Sequence, residues 1–403
     1  MSKFHLYFYG ISKNIIVPRL GKNTILSFWE HKGWCQERDI VVIGAGFVGL
    51  SAAVESRKMY PDAKITIVEM SPLCGGGSTK NAGFGCFGSP SELLDDWGTL
   101  GPEKTVELVA QRFEGLNKLR ENYSDEKIGY QATGAIEIFT NVSQEDQVLE
   151  AKVRAFLPEL NEALEPVFKA HPFKIVDDIP VGVMNASSVI SSPFEGILDT
   201  SMLYSSTKKE ALDAGVEMIN GVKILGIEED GRDGYRLDFD FGYFEAGTVL
   251  VAGNAFAKEL LEDLDVSPKV NRVLVTEEIP GLRFEGSCHY DRGYVYLRRL
   301  ENRMLIGGGR QWAQGNSDAL SDGGSEEVRA KLVEFLGNHI EGCKGVEIEY
   351  NWIGHLGVGT SRDPIVKTVK PGLHVGVRMG GMGVAIGSEI GVKLARLQHG
   401  GRP

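Results

Sequence analysis

The stretch that decides the fold is DIVVIGAGFVGLSAAVESRKM, residues 39–59, followed closely by KITIVE, residues 64–69. Asp39-Ile-Val-Val-Ile43 is a short apolar run ending in a glycine turn, which reads as a strand buried on both faces. Gly44, Gly46 and Gly49 form a Gly-x-Gly-x-x-Gly turn, and the residues after it carry no helix breaker until Pro61. Residues 64–69 read as a second buried strand, closed by the acid Glu69. Strand, glycine turn, helix, strand and acid together make a dinucleotide-binding unit. Gly44 permits the tight turn, Gly46 lets the backbone approach a pyrophosphate, and Gly49 lets helix and strand pack closely. The helix N-terminus offers free N–H groups and partial positive charge to the phosphates. Glu69 is placed to accept hydrogen bonds from ribose hydroxyls. An acid there disfavours a 2′-phosphate, which leaves FAD or NAD as the ligand rather than NADP.

Working outward, CGGGSTKNAGFGCFG (residues 74–88) is a long Gly/Ser/Thr loop where an ordinary NAD unit would enter its next helix directly. Its free backbone suits a larger cofactor. GTVLVAGNAFAKEL (residues 247–260) reads as a later strand of the same sheet running into a helix, with Gly253 letting the backbone pass close to a nucleotide. Near the end, VRMGGMGVAIGSEIG (residues 377–391) predicts a helix whose first turn holds Gly380, Gly381 and Gly383. Glycine there costs about 0.5–1 kcal/mol per position relative to alanine, so close approach of a ligand is expected to explain it.

Composition narrows the partners. The 403 residues are 42% hydrophobic and 24% charged, as expected of a folded globular chain with a large core, and they carry a formal charge of −12. That charge argues against nucleic acid or an anionic membrane as the main partner. Nothing in the sequence is apolar for long enough to span a membrane. The five cysteines show no metal spacing and read as free thiols in a reducing compartment, so no metal site and a cytoplasmic location are expected.

Several spaced elements together resemble the D-amino-acid oxidase (DAO) superfamily of FAD-dependent oxidoreductases. They are VVIGAGFVGLSAA with its IVE, STKNAGF, ILDTSML, VLVAGNAF, YVYLRRLENRMLIGGG and GLHVGVRMGGMGVAIGS. The resemblance implies an α/β fold, with a Rossmann-like FAD-binding domain and an interleaved α+β substrate domain whose mixed sheet roofs the flavin. It implies FAD, with the last helix pointing its N-terminus at the flavin. Some relatives attach the flavin covalently, but no cysteine follows Cys343 here, so non-covalent FAD is expected. Disulfide reductases, which place two cysteines a few residues apart, and flavin hydroxylases, with a Gly-Asp-Ala turn, fit less well. The FAD-contacting set expected from the nucleotide unit and the resemblance begins with Gly44, Gly46, Phe47, Val48, Gly49, Glu69, Met70, Ser78, Thr79, Lys80, Asn81, Ala82 and Gly83. It continues with Val222, Ala252, Gly253, Met379, Gly380, Gly381, Met382, Gly383 and Val384.

The substrate side is read from RGYVYLRRLENRMLIGGGR (residues 292–310), a hairpin turning at Glu301 and Asn302. Period-two alternation puts Tyr294, Tyr296 and Arg298 on one face and Val295, Leu297 and Arg299 on the other. Tyr296 and Arg298 suit an amino acid or amine bearing a carboxylate, the arginine gripping it and the tyrosine orienting it. Amino-acid oxidases of the family often show Trp-x-Gly-x-Arg-Pro near the end. Here the stretch is Trp352-Ile-Gly354-His355-Leu356-Gly357, closer to the gamma-glutamylputrescine oxidase-like branch. Either the substrate is not a simple alpha-amino acid, or its carboxylate clamp moves to Arg298, Arg362 or Arg378. His355 is a candidate base or donor beside the flavin.

The reading is an FAD-dependent oxidation of a C–H alpha to nitrogen in an amine or amino acid, with O2 or a quinone as electron acceptor. A 2-hydroxy-acid dehydrogenase and a non-catalytic FAD-stabilised protein stay open. The expected division is an N-terminal extension over 1–26, an FAD domain from 27–100, 195–265 and 350–403, and a substrate domain from 101–194 and 266–349.

Overall fold

The computed structural model of the protein describes residues 26–313 and 326–400. The N-terminal extension expected over 1–26 thus lies, but for Leu26, outside the described residues. Two eight-stranded sheets organise the chain.

The first sheet is built on the opening motif. Strand Arg38–Ile43 pairs in parallel with Ile65–Glu69 on one side and Gly242–Val251 on the other. Glu217–Asn220 and Leu373–Val377 extend the parallel run outward. Both faces of the central strand are buried. Ile40 and Val42 point into a core shared with helices Phe47–Met59 and Gly383–Arg396, while Val41 and Ile43 join Leu237, Phe244 and Val375 on the opposite side. Burial on both sides is why the sequence runs apolar here without alternation.

The second sheet orders its strands as Ile348–Val358, Ser267–Thr276, Arg303–Gly308, Val295–Leu300, Ser287–Tyr290, Ala135–Phe139, Ser188–Ser192 and Lys174–Val176. It is mixed, because Ser287–Tyr290 runs parallel to Ala135–Phe139 while its other neighbours are antiparallel. The expected hairpin forms with its tip at Glu301 and Asn302. Its alternation also holds: Val295 and Leu297 pack against helix Glu326–His339, and Tyr296 faces the other way. One row of paired residues crosses that other face, from Val273 through Gly307, Tyr296 and His289 to Glu137. The Tyr296 ring lies over Gly307, where a Cβ would come within 2.5 Å of the ring.

Three expectations are corrected. Strand Ile348–Val358 belongs to the second sheet, so the boundary expected at 350 falls inside a strand, and the chain returns to the first sheet only at Ile365–Lys370. Helix Pro102–Tyr123, expected wholly in the substrate domain, serves both cores: Val109 packs with Phe87 and Phe168, while Leu116 and Leu119 join the core of the nucleotide unit. The last helix begins at Gly383, so Gly380 and Gly381 precede it in a left-handed turn with φ of +57° and +93°. They lie outside the helix, and backbone handedness in this turn by itself favours glycine at these two positions.

Candidate active site

Two cavities meet between the sheets. One, of about 430 Å³, runs along the Gly44–Gly46 turn, Glu69, the Ser78 loop and Ala252 to Met379. The other, of about 550 Å³, lies under the second sheet. Gly77, Lys80, Asn81, His355, Leu356, Gly381 and Val384 line both, so the two form one continuous cleft.

The nucleotide end has the geometry its motif requires. Gly44 has φ of +107°, and a Cβ there would come within 2.9 Å of the Ala252 carbonyl oxygen. A Cβ at Gly49 would sit 1.9 Å from the Gly44 carbonyl oxygen, so helix and turn approach as only glycine allows. The Ser78 hydroxyl accepts the Phe47 N–H at 2.9 Å and ties the STKNAG loop to the helix start. The Glu69 carboxylate accepts N–H groups from Ala45 and Ser71, each at 2.9 Å. Each carboxylate oxygen keeps a second lone pair, which a ribose diol can use. These residues fit FAD. The turn and the first residues of helix Phe47–Met59 would hold its pyrophosphate, Glu69 its ribose, and the entrance of the last helix its ring. In Glu69→Gln an amide NH2 would face one of those backbone donors. We expect apoprotein to bind FAD at least about tenfold more weakly, as for loss of a charged hydrogen bond. A fluorescence titration checks this, and affinity within about twofold of the parent would remove Glu69 from the cradle.

Nearly all of the expected FAD contacts line the cleft: Gly44, Gly46, Phe47, Val48, Glu69, Met70, Ser78, Lys80, Asn81, Ala82, Val222, Ala252, Gly253, Met379, Gly380, Gly381, Met382, Gly383 and Val384. Gly49, Thr79 and Gly83 stand behind it. Gly49 packs against the turn. The Thr79 hydroxyl donates to the carbonyls of Cys74 and Gly76, and the Gly83 N–H donates to Asn81.

Of the expected catalytic residues, Tyr296 and His355 line the cleft and Arg298 does not. The Arg298 guanidinium donates to the carbonyls of Leu198 (2.9 Å) and Gly83 (3.2 Å), and burial pulls its pKa down to about 10. It pins two loops together, still charged at neutral pH. The other two candidate clamps are also engaged. Arg362 pairs with Glu92 and Asp96, and Arg378 with Asp265. Burial, and then Lys80, hold His355 below the usual histidine pKa.

Several polar residues on the larger cavity escaped the sequence reading, among them Arg310, Arg292, His289 and Asn271. Arg310 follows the hairpin, with its guanidinium carbon 4.5 Å above the Tyr294 ring and Nη1 3.4 Å from Asn271 Oδ1. Among the described residues it has no carboxylate partner, whereas Arg292, on the same wall, pairs with Asp95 and Asp291. His289 also lines this cavity, bonded to the buried Glu195. The Asn271 amide completes the wall beside Tyr296. The Gly-Gly-Gly-Arg ending of the hairpin was the available signal for Arg310; nothing local marked His289.

Comparison with known proteins agrees with this fold. Residues 39–397 match the family DAO, FAD dependent oxidoreductase. A "Probable oxidoreductase OrdL" from Rhizobium meliloti is 22% identical over 378 residues, covering 91% of this chain and 84% of its own. Glycine oxidase from Geobacillus kaustophilus shares the fold with a TM-score of 0.69 at 19% identity, over 91% of this chain and 96% of that one. L-proline dehydrogenase from P.horikoshii does so with a TM-score of 0.70 at 16% identity, over 91% and 95%. Among the described residues no helix is long and apolar enough to cross a membrane. The chain belongs to the DAO family of FAD-dependent oxidoreductases.

Proposed function

We propose that the protein oxidises the C–H bond alpha to nitrogen in an amine or amino acid, taking a small molecule into the larger cavity. The observation that carries this reading is the polar wall under the second sheet. Arg310, without a carboxylate partner among the described residues, stands there beside Tyr294, Tyr296 and Asn271, and the cavity opens onto the flavin end of the cleft. An arginine so placed can grip a carboxylate with two parallel hydrogen bonds. Burial pushes the Tyr296 phenol up to about 12, so at neutral pH it is a hydrogen-bond donor and not an anion. Bound FAD supplies the acceptor for the hydride leaving the alpha carbon. The N-terminus of helix Gly383–Arg396 lies where the two cavities join and favours negative charge there. The imine product adds water and gives a carbonyl compound and an amine or ammonia. Glycine oxidase and iminodiacetate oxidase share this fold, and their names describe chemistry of this class on those proteins.

The flavin is held non-covalently in this reading. Burial, then Glu195 and Glu92, keep the Cys86 thiol far above its ordinary pKa and so protonated, a poor nucleophile for attachment. O2 or a quinone reoxidises the flavin, and five unpaired cysteines favour a cytoplasmic setting. The test is an anaerobic panel of amines, N-methyl and D- or L-amino acids and 2-hydroxy acids, read by bleaching of the flavin band. Bleaching by a nitrogenous class is expected. Bleaching by 2-hydroxy acids alone would replace this reading with alcohol oxidation.

A further inference from the structure

We propose that His289, positioned by Glu195, takes the proton from the substrate's ammonium group before the alpha carbon is oxidised. This rests on the amine reading above. His289 stands on strand Ser287–Tyr290, directly opposite Tyr296, in the row of residues that faces the cavity. Its Nε2 lies 2.9 Å from Glu195 Oε2, and the other Glu195 oxygen accepts the Phe87 N–H at 3.2 Å. Glu195 is 2% exposed and His289 7%. The Phe84 ring, 5.5 Å away, packs against the imidazole.

A carboxylate accepts hydrogen bonds and does not donate them, so Nε2 carries the hydrogen of the neutral ring and Nδ1 carries the lone pair. Among the described residues Nδ1 has no bonding partner, and it is not one of the enclosed polar atoms lacking one. With His289 on the cavity wall, that lone pair is available to the substrate.

The step balances on these two groups. One N–H bond of the ammonium breaks and leaves its electron pair on the substrate nitrogen. One N–H bond forms at Nδ1, and the positive charge moves onto an imidazolium already hydrogen-bonded to Glu195. The lone pair left on nitrogen is what forms the C=N bond as hydride departs.

The surrounding charges support a basic imidazole. Burial alone would lower its pKa. Glu195, Glu137 on the neighbouring strand and Glu92 on helix Pro90–Leu100 outweigh burial and hold the pKa above the ordinary histidine value. The Cys86 thiol and Tyr296 phenol beside it are both pushed up and stay neutral, and the Arg112 guanidinium is engaged with the Phe87 carbonyl and Glu92. At acidic pH His289 is protonated and cannot accept, so the flavin-reduction rate rises with pH through its pKa.

The test is stopped-flow anaerobic reduction of the holoenzyme, using whichever amine of the panel bleaches the flavin, in the parent, His289→Asn and Glu195→Gln. Near pH 7 we expect His289→Asn to be slower by about 10²-fold, as for loss of a proton acceptor. Above the substrate's own amine pKa the free amine is already neutral, and there the deficit should shrink to within about threefold. Glu195→Gln should shift the acid limb of the parent's profile toward lower pH, because the carboxylate that raises His289's basicity is gone. A structural role would instead lower the rate equally at both pH values, and that result overturns the proposal while leaving the amine reading intact. A panel in which nothing, or only 2-hydroxy acids, bleaches the flavin overturns both. Should the variants fail to fold, 15N-histidine NMR of the parent holoenzyme decides. An Nε2–H tautomer at His289 is expected, and an Nδ1–H tautomer would sink the assignment.

Discussion

Gly49→Ala is expected to leave the protein colourless and badly destabilised. The added methyl would sit 1.9 Å from the Gly44 carbonyl oxygen and 3.3 Å from Val42 Cγ1. Neither atom is the free end of a flexible side chain. The Gly44 turn cannot retreat, because it lies against the Ala252 carbonyl just past the end of the next strand. Overpacking a core commonly costs about 1–3 kcal/mol, and overlap with main chain should put this variant at about 3 kcal/mol or more. Stabilities of about 5–15 kcal/mol make that a large fraction of the whole. The turn that must move is also the one that would hold the pyrophosphate, so flavin is lost together with stability. Thermal unfolding and the flavin absorbance of purified protein check both. Gly98→Ala is the control: a Cβ there meets nothing within 4 Å in helix Pro90–Leu100, and it should stabilise by about 0.5–1 kcal/mol. A yellow Gly49→Ala with the parent's melting temperature would show that the turn is not under this constraint.

Arg310→Leu is expected to raise the dissociation constant for carboxylate-bearing amines by about 10²-fold, the equivalent of about 3 kcal/mol for a charge-assisted bidentate contact. Amines without a carboxylate should bind as before, or better into the more apolar wall. Arg310→Lys should recover only part of the loss, because an ammonium is a point charge and cannot reproduce the planar fork. The argument turns on availability. Arg298, Arg362 and Arg378 are already bonded to protein acceptors, whereas Arg310 rests on the Tyr294 ring with one long contact to Asn271. Binding is read from perturbation of the flavin spectrum by non-reducing carboxylates and from the concentration dependence of anaerobic reduction. Equal weakening of amines with and without a carboxylate would show that the loss is structural and would return the clamp to another residue.

The parts legible in the sequence are those whose constraints are local. Strand, Gly-x-Gly-x-x-Gly, helix, strand and Glu69 fall within one short stretch, and Gly44 and Gly49 show there the tight turn and the close packing that their spacing implies. The hairpin at Glu301–Asn302 and its alternating faces were equally readable, because a two-residue period needs no knowledge of distant chain. The glycines before the last helix were legible as a ligand-facing entrance, and they line the cleft, but their place relative to the helix was not. Only the backbone angles show that Gly380 and Gly381 form a left-handed turn outside the helix.

Tertiary structure alone decided what depends on pairing across the chain. Strand Ile348–Val358 joins the roof sheet through Ser267–Thr276, a partner its own apolar pattern does not name. Arg298 looked like a ligand-binding arginine by its face and spacing, yet that face meets the Gly83 and Leu198 carbonyls before it meets the cavity. His289 and Glu195 are 94 residues apart, on a strand and on a loop with no recognisable motif. Sequence by itself thus determined the family, the cofactor and the strand–turn–helix unit, because those rest on short-range backbone geometry. Which side chains reach the substrate was decided by the folded sheet, because a cavity wall is assembled from strands whose order the linear pattern does not encode.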